Sequence, residues 1–176
     1  MKKLFIYPVL IAAAAIAVSC SKDKSTPTPA SGSFTINGVA YTESKGTYQV
    51  SSLNDQSFAT LGVAGSNSGK KGALVIFFPG TAKPSAGNYA IVTDMTTAKV
   101  GDKVVGILAS DSASIAKEGL YTAQSGTLTV SVSSSNKLTV TLPNTTFKGQ
   151  NFDNTDPKNT KTTDATVTAS GTVSEN

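Results

Sequence analysis

Histidine, tryptophan and arginine do not occur in this sequence, and cysteine occurs once. Without histidine the chain lacks the commonest general base and the commonest metal ligand near neutral pH. Without arginine it lacks the planar fork that grips phosphates and guanine edges, which argues against a nucleic-acid partner. The preferred stacking platform for sugars and cations is missing with tryptophan, although five tyrosines keep a weaker one. A lone cysteine cannot form a disulfide within the chain, so stability must come from strand pairing and packing. The formal net charge of +4 includes Lys2 and Lys3 of an N-terminal signal; without them 13 lysines face 11 acidic residues, or +2. Those lysines are scattered, and the one adjacent pair of the mature chain, Lys70-Lys71, reads as a solvated loop tip.

What is present is clearest at the start. Lys2 and Lys3 form a positive region, Leu4 to Val18 is almost wholly apolar, and Ser19-Cys20 gives way at once to the polar Ser21, Lys22, Asp23 and Lys24. The apolar run is short for a transmembrane helix, which needs about 20 residues, and its flanks are those of a secretory signal. The tetrapeptide Ala17-Val18-Ser19-Cys20 resembles a bacterial lipobox, with Ala17 where leucine is usual. In a lipobox the cysteine thiol receives a diacylglyceryl group and becomes the first residue of the mature protein. The only soft nucleophile in the chain therefore stands where no core could use it. One acyl chain, at ~0.8 kcal/mol per buried CH₂, anchors marginally, whereas two or more anchor stably.

The sequence divides into a lipoprotein signal peptide (1–19), a lipidated Cys20 with a flexible linker (20–33) and a β-domain (34–176). The linker is rich in Ser, Thr and Pro and carries no large apolar residue, so it can space the domain from the bilayer but cannot form core. The 157 residues after Ser19 suffice for one domain burying about 68–70% of its unfolded surface.

From Phe34 the hydrophobic period becomes two. Phe34 and Ile36 lead to Asn37-Gly38, a strong hairpin signal because both residues tolerate positive φ. Val39 and Tyr41 continue on the far side. Further strands are predicted over Thr47–Leu53, Phe58–Ala64, Ala73–Phe78, Asn88–Thr93, Lys103–Ala109, Leu120–Gln124, Gly126–Ser133, Leu138–Thr141 and Ala165–Val173. The run Ala73–Phe78, apolar on both faces, predicts a central strand. In Ser125–Leu142, pairing Val132 with Leu138, Val130 with Val140 and Leu128 with Leu142 puts all six on one face. It leaves Ser134-Ser135-Asn136 as a loop with Asn136 left-handed. Asp111–Gly119 reads as a hairpin turning at Lys117-Glu118-Gly119, with a short capped helix as the alternative. Lys148–Thr163, largely polar and rich in Asn, Asp and Lys, reads as a long mobile loop, and the small residues of Ala165–Val173 suit an edge strand or a place of close approach. The fold expected is all-β, an antiparallel β-sandwich, with a lipocalin-like closed β-barrel as the alternative.

Several of these stretches carry a resemblance. Cys20-Ser-Lys-Asp-Lys, Phe34-x-x-Asn37-Gly38-x-x-Tyr41, Gly87-Asn88-Tyr89, Ser125-Gly-Thr-Leu-Thr-Val130 and the closing Ala165–Thr172 segment resemble small all-β envelope lipoproteins of the Bacteroidota, a group of uncharacterised function. The resemblance implies an envelope location and a sandwich or lipocalin-like domain, and it brings no catalytic residues. In that group a short acidic run after the cysteine marks export to the surface; here it is a single Asp between two lysines.

Candidate sites are few. Cys20 is the lipidation site. Asp111-Ser112-Ala113 matches the Asp-Ser/Thr-small-apolar tripeptide of O-glycosylation in that phylum, making Ser112 the candidate acceptor. Asp153-Asn154-Thr155-Asp156 resembles a calcium loop but lacks the glycine at the sixth position and the glutamate at the twelfth, so no metal is assigned. Ser114-x-x-Lys117 has a serine-lysine spacing, without the helix start that such a dyad uses. Tyr41, Tyr48, Tyr89 and Tyr121 read as packing. No catalytic residue and no cofactor is expected. The function expected is a non-enzymatic binding or assembly module held on the outer membrane, at the periplasmic face or the cell surface. Its partners would be membrane lipid through acylated Cys20 and an envelope protein or glycan. The alternatives are a carrier of a small apolar ligand in a barrel cavity and a fimbria-like structural subunit.

Overall fold

A computed structural model describes residues 28–53, 56–114, 116–156 and 158–176. Ten strands follow one another: β1 (Thr28–Ile36), β2 (Val39–Leu53), β3 (Gln56–Asn67), β4 (Lys70–Pro79), β5 (Gly87–Ile91), β6 (Val104–Ser114), β7 (Lys117–Ala123), β8 (Thr127–Val132), β9 (Leu138–Asp153) and β10 (Lys161–Glu175). The protein is all-β, and the described residues contain no helix.

The turn chemistry places the hairpins where the sequence puts them. Asn37 and Gly38 have φ of 51° and 76°, and Ile36 faces Val39 across the turn. Val130 pairs with Val140 and Val132 with Leu138, and Asn136 takes a φ of 58°. Leu128 joins the same buried face and pairs with Tyr89 of β5.

Antiparallel pairing runs β1–β2–β3–β4–β6–β7–β9–β10, and β10 pairs back onto β1. The sheet is thus continuous around its core, in a sandwich-type arrangement. Two long strands change partner along their length. β6 pairs with β5 through Val104 and Val105 and with β7 from Leu108 onward. β9 pairs with β8 through Leu138–Thr141 and with β7 from Phe147 onward. The β5–β6 pairing is parallel, so the sheet is mixed rather than purely antiparallel. A crossover through residues 92–103 makes this possible, as parallel neighbours require.

That crossover explains the run apolar on both faces. In β4, Leu74, Ile76 and Phe78 face the core. On the outer face Val75 is buried and Phe77 half-buried, and Phe77 meets Phe58 edge to face at 6.2 Å. The crossover lies over this face: Gln56 Nε2 donates to Thr96 O at 2.8 Å, and a Cβ on Gly106 would fall 3.0 Å from Met95 Cγ. The inward faces supply one core, including Ile36, Leu61, Ile107, Leu138, Val140 and Phe147. Truncating a fully buried phenylalanine such as Phe147 to alanine would cost about 3–5 kcal/mol.

Three expectations are corrected. Lys148–Thr163 is not one long loop: β9 extends to Asp153 and β10 begins at Lys161, which leaves residues 154–160 as the connection. β10 is no edge, because it lies between β9 and β1, and its small residues serve close approach: a Cβ on Gly171 would fall 2.6 Å from Phe34 Cβ. Strand structure also starts at Thr28, inside the segment read as linker. Main-chain pairing accounts for this, since Gly32 lies so close to Thr172 O that a Cβ there would stand off by only 2.4 Å.

Candidate functional site

One end of the sheet is corked. The Lys83 ammonium reaches both Glu175 oxygens, at 2.7 and 2.9 Å, and donates to Asn136 O at 2.5 Å. It also sits 5.2 Å over the Tyr48 ring. Burial and, second, the Glu175 charge push the Tyr48 phenol up to about 12. The Tyr89 hydroxyl donates to Ser85 O at 2.9 Å and holds the same connection between β4 and β5.

The other end is a polar mouth. Pairing places Gly72, Asp111, Gly119, Asn151 and Thr163 in one row across β4, β6, β7, β9 and β10. Paired residues project to the same side of a sheet. Two or four residues along these strands stand the buried Leu74, Ala109, Tyr121, Phe147 and Val167, so the row faces inward. Glycine occupies two of its five positions, and a tyrosine fills the space beside each: the Tyr41 ring at Gly72 and the Tyr121 phenol at Gly119. The next inward row, Lys117, Asp153 and Lys161, forms the rim. The result is an open cleft of about 420 Å³, within the range of small-molecule sites.

The Tyr121 phenol lines the cleft, and the Tyr41 phenol lies buried behind the row. The Tyr121 hydroxyl lies 2.9 Å from Asp111 Oδ1 and 2.7 Å from Asn151 Oδ1. A phenol has one proton and a carboxylate can only accept, so the hydroxyl donates to Asp111. Asn151 complements it with its NH₂ group once the amide is turned over, oxygen and nitrogen being exchangeable by a half-turn. Burial, then the bond to Asp111, raises the Tyr121 phenol well above its ordinary value. Tyr41 is fully buried and its hydroxyl has no partner among the described residues. Its ring end reaches the same row, because a Cβ on Gly72 would fall 2.7 Å from Tyr41 Cζ. Burial and the Asp111 charge raise this phenol too.

The sequence-derived candidates fall as follows. Cys20 lies outside the described residues. Ser112 sits on β6 with the opposite phase to Asp111, and its hydroxyl donates to Ser114 O at 2.7 Å. Asp111–Gly119 is a hairpin, but its turn lies before Lys117 rather than at Lys117-Glu118-Gly119: Ser114 pairs with Lys117, and Lys117–Gly119 belong to β7. Asp153 Oδ1 is occupied by the Thr155 amide and hydroxyl, and these bonds hold its carboxyl below the usual range. Asp156 Oδ1 accepts from Lys158 N at 3.0 Å. No group of three or more metal-ligating side chains occurs among the described residues. Lys117 pairs with Asp153 at 3.7 Å rather than with a serine. Tyr41, Tyr89 and Tyr121 belong to the core and Tyr48 packs against it.

The cluster of Asp111, Tyr121 and Asn151 had no sequence signal. Its members come together through the register of three strands, not through spacing along the chain. No protein-family model, curated protein or solved structure matches the chain.

Proposed function

We propose that the protein is a lipid-anchored envelope protein whose β-domain serves as a non-enzymatic binding or assembly module. The observation that carries this reading is Cys20, the single thiol of the chain, placed at the junction between an apolar signal and a polar spacer. Acylation there would hold the domain at the outer membrane, on the periplasmic face or the cell surface, as two or more chains anchor stably. The side chains that would serve an enzyme do not favour catalysis. With no histidine in the sequence the mouth lacks the commonest general base, and its Tyr121 phenol is pushed away from ionisation.

A second reading is a carrier of a small apolar ligand, which the β1–β10 pairing favours because it closes the sheet. The carboxylates at the mouth weigh against it, since an apolar cargo would have to pass Asp111 without compensating it. Strand exchange of the fimbrial kind has less support, since β1 and β10 already complete each other.

Fractionation of cells making the native chain and Cys20→Ala tests the anchor. The native protein is expected in the membrane fraction and released only by detergent, with Cys20→Ala in the soluble fraction. A Cys20→Ala chain that stays with the membrane overturns it.

A further inference from the structure

We propose that the polar mouth at the Asp111 end of the sheet binds one or two neutral sugar units. The proposal rests on the binding-module reading above and gives that module a ligand class.

The mouth is built rather than left over. Glycine at 119 is demanded by the cluster: a Cβ there would stand 1.9 Å from the Tyr121 hydroxyl and 2.5 Å from Asp111 Oδ1. Glycine at 72 is demanded by the Tyr41 ring. The two glycines make room for the Tyr41 ring and for the Tyr121 phenol that bonds Asp111.

The unused hydrogen-bonding groups define the ligand. Oδ1 of Asp111 takes the Tyr121 proton, and among the described residues no donor reaches Oδ2. The Tyr41 hydroxyl also has no partner among the described residues, but it is buried and does not line the cleft. Glu118 and Lys161 line the cleft without an ion-pair partner among the described residues, and Thr163 and Asn37 add a hydroxyl and an amide. Carboxylate acceptors and ammonium, hydroxyl and amide donors thus line one space. A sugar hydroxyl is both donor and acceptor, so a polyol can satisfy both kinds at once.

Other ligand classes fit worse. An apolar molecule would find Phe152 and Ala113 to pack against but would strip water from Asp111 and return no hydrogen bond to it. A polyanion would face Asp111, Glu118 and Asp153 against only Lys117 and Lys161. A divalent cation finds no three-ligand cluster among the described residues. The cleft of about 420 Å³ has room for one or two sugar rings.

The test uses the full chain, labelled for NMR and purified in a zwitterionic detergent, so that no sugar-based detergent competes. It is titrated with neutral hexoses, N-acetylhexosamines and their disaccharides, and separately with a medium-chain fatty acid. The expected result is saturable shifts for at least one sugar, confined to amides around Asp111, Gly119, Tyr121, Asn151 and Thr163. Asp111→Ala should weaken that binding about tenfold or more, the loss expected for one charge-assisted hydrogen bond. Because Asp111→Ala also frees the Tyr121 hydroxyl, Thr163→Trp serves as a second variant. It fills the mouth from an exposed position and should abolish the shifts with the fold intact. Ser131→Ala, far from the mouth, should leave them unchanged. Silence across the whole sugar panel, shifts that survive Thr163→Trp, or shifts with the fatty acid alone each overturn the proposal. None of these outcomes touches membrane anchoring through Cys20, which is read by fractionation.

Discussion

Lys83 and Glu175, 92 residues apart in sequence, meet at 2.7 Å, and the same carboxylate accepts the main-chain N–H of Leu138 at 3.1 Å. The pair ties the connection between β4 and β5 to the last strand and to the start of β9. Glu175 is 7% exposed, so its charge depends on these partners. Lys83→Ala would leave a buried carboxylate held by one amide and should cost about 2–4 kcal/mol. Glu175→Gln keeps an acceptor for both partners and should cost about 1–2 kcal/mol. Urea unfolding midpoints check the order. Equal losses, or a Lys83→Ala loss under about 0.5 kcal/mol, would mean that the pair is solvated and contributes little.

Asn136 holds the turn between β8 and β9 at a φ of 58° while its carbonyl accepts from Lys83. Asn136→Ala should destabilise by about 1–2 kcal/mol through left-handed strain, whereas Asn136→Gly should be within about 0.5 kcal/mol of the native chain. Thermal unfolding of the two variants side by side distinguishes backbone strain from a lost side-chain contact, which would penalise both alike.

At Gly119 the Tyr121 phenol and Asp111 leave no room for a side chain. Gly119→Ala should cost about 1–3 kcal/mol, because either the Tyr121 phenol or Asp111 must move. Gly38→Ala makes a useful contrast. That turn glycine has open space around its would-be Cβ and a φ of 76°, so its cost should be conformational alone and should leave the Tyr121 environment undisturbed. Near-ultraviolet circular dichroism, which reads tyrosine packing, should change for Gly119→Ala and not for Gly38→Ala.

The raised phenols predict an alkaline limit. Tyr41, Tyr48 and Tyr121 all hold their protons more tightly when folded than at the ordinary value of 10.0, Tyr48 up to about 12. A group whose folded value lies above its unfolded one contributes stability that is complete below pH 10. That contribution drains away as pH rises through the folded value. Urea midpoints should therefore show no loss attributable to these phenols up to about pH 10 and should fall steadily toward pH 12. Phenolate absorbance should lag behind that of the unfolded chain over the same window. A native titration that overlays the unfolded one would show these phenols to be solvated.

Much of the fold was legible because the interior is written in period two and the turns in residues that tolerate positive φ. Asn37-Gly38 and Asn136 fixed two hairpins, and the alternation of Leu128, Val130 and Val132 with threonine and serine fixed a register. Lys148–Asp153 was illegible for the opposite reason. Its Lys148, Asn151 and Asp153 are polar, and the segment is held as strand by main-chain pairing to β7 and β10 on both sides. Asp111 drew notice only through its neighbour Ser112. That it faces Gly119 and, one strand further, shares a row with Asn151 follows from two registers in succession, and no local pattern encodes them. The parallel β5–β6 pairing was hidden likewise, since the crossover from Val92 to Lys103 reads as an ordinary turn-rich connection.

Lipid on Cys20 is the claim on which the functional account stands, and the mass of the mature N-terminus tests it most directly. Protein extracted from native membranes, digested and measured, should yield an N-terminal peptide that begins at Cys20 and carries the added mass of a diacylglyceryl group with or without an N-acyl chain. A peptide that reads through Ser19 into Cys20, or one that begins at Cys20 with a free thiol, would contradict it.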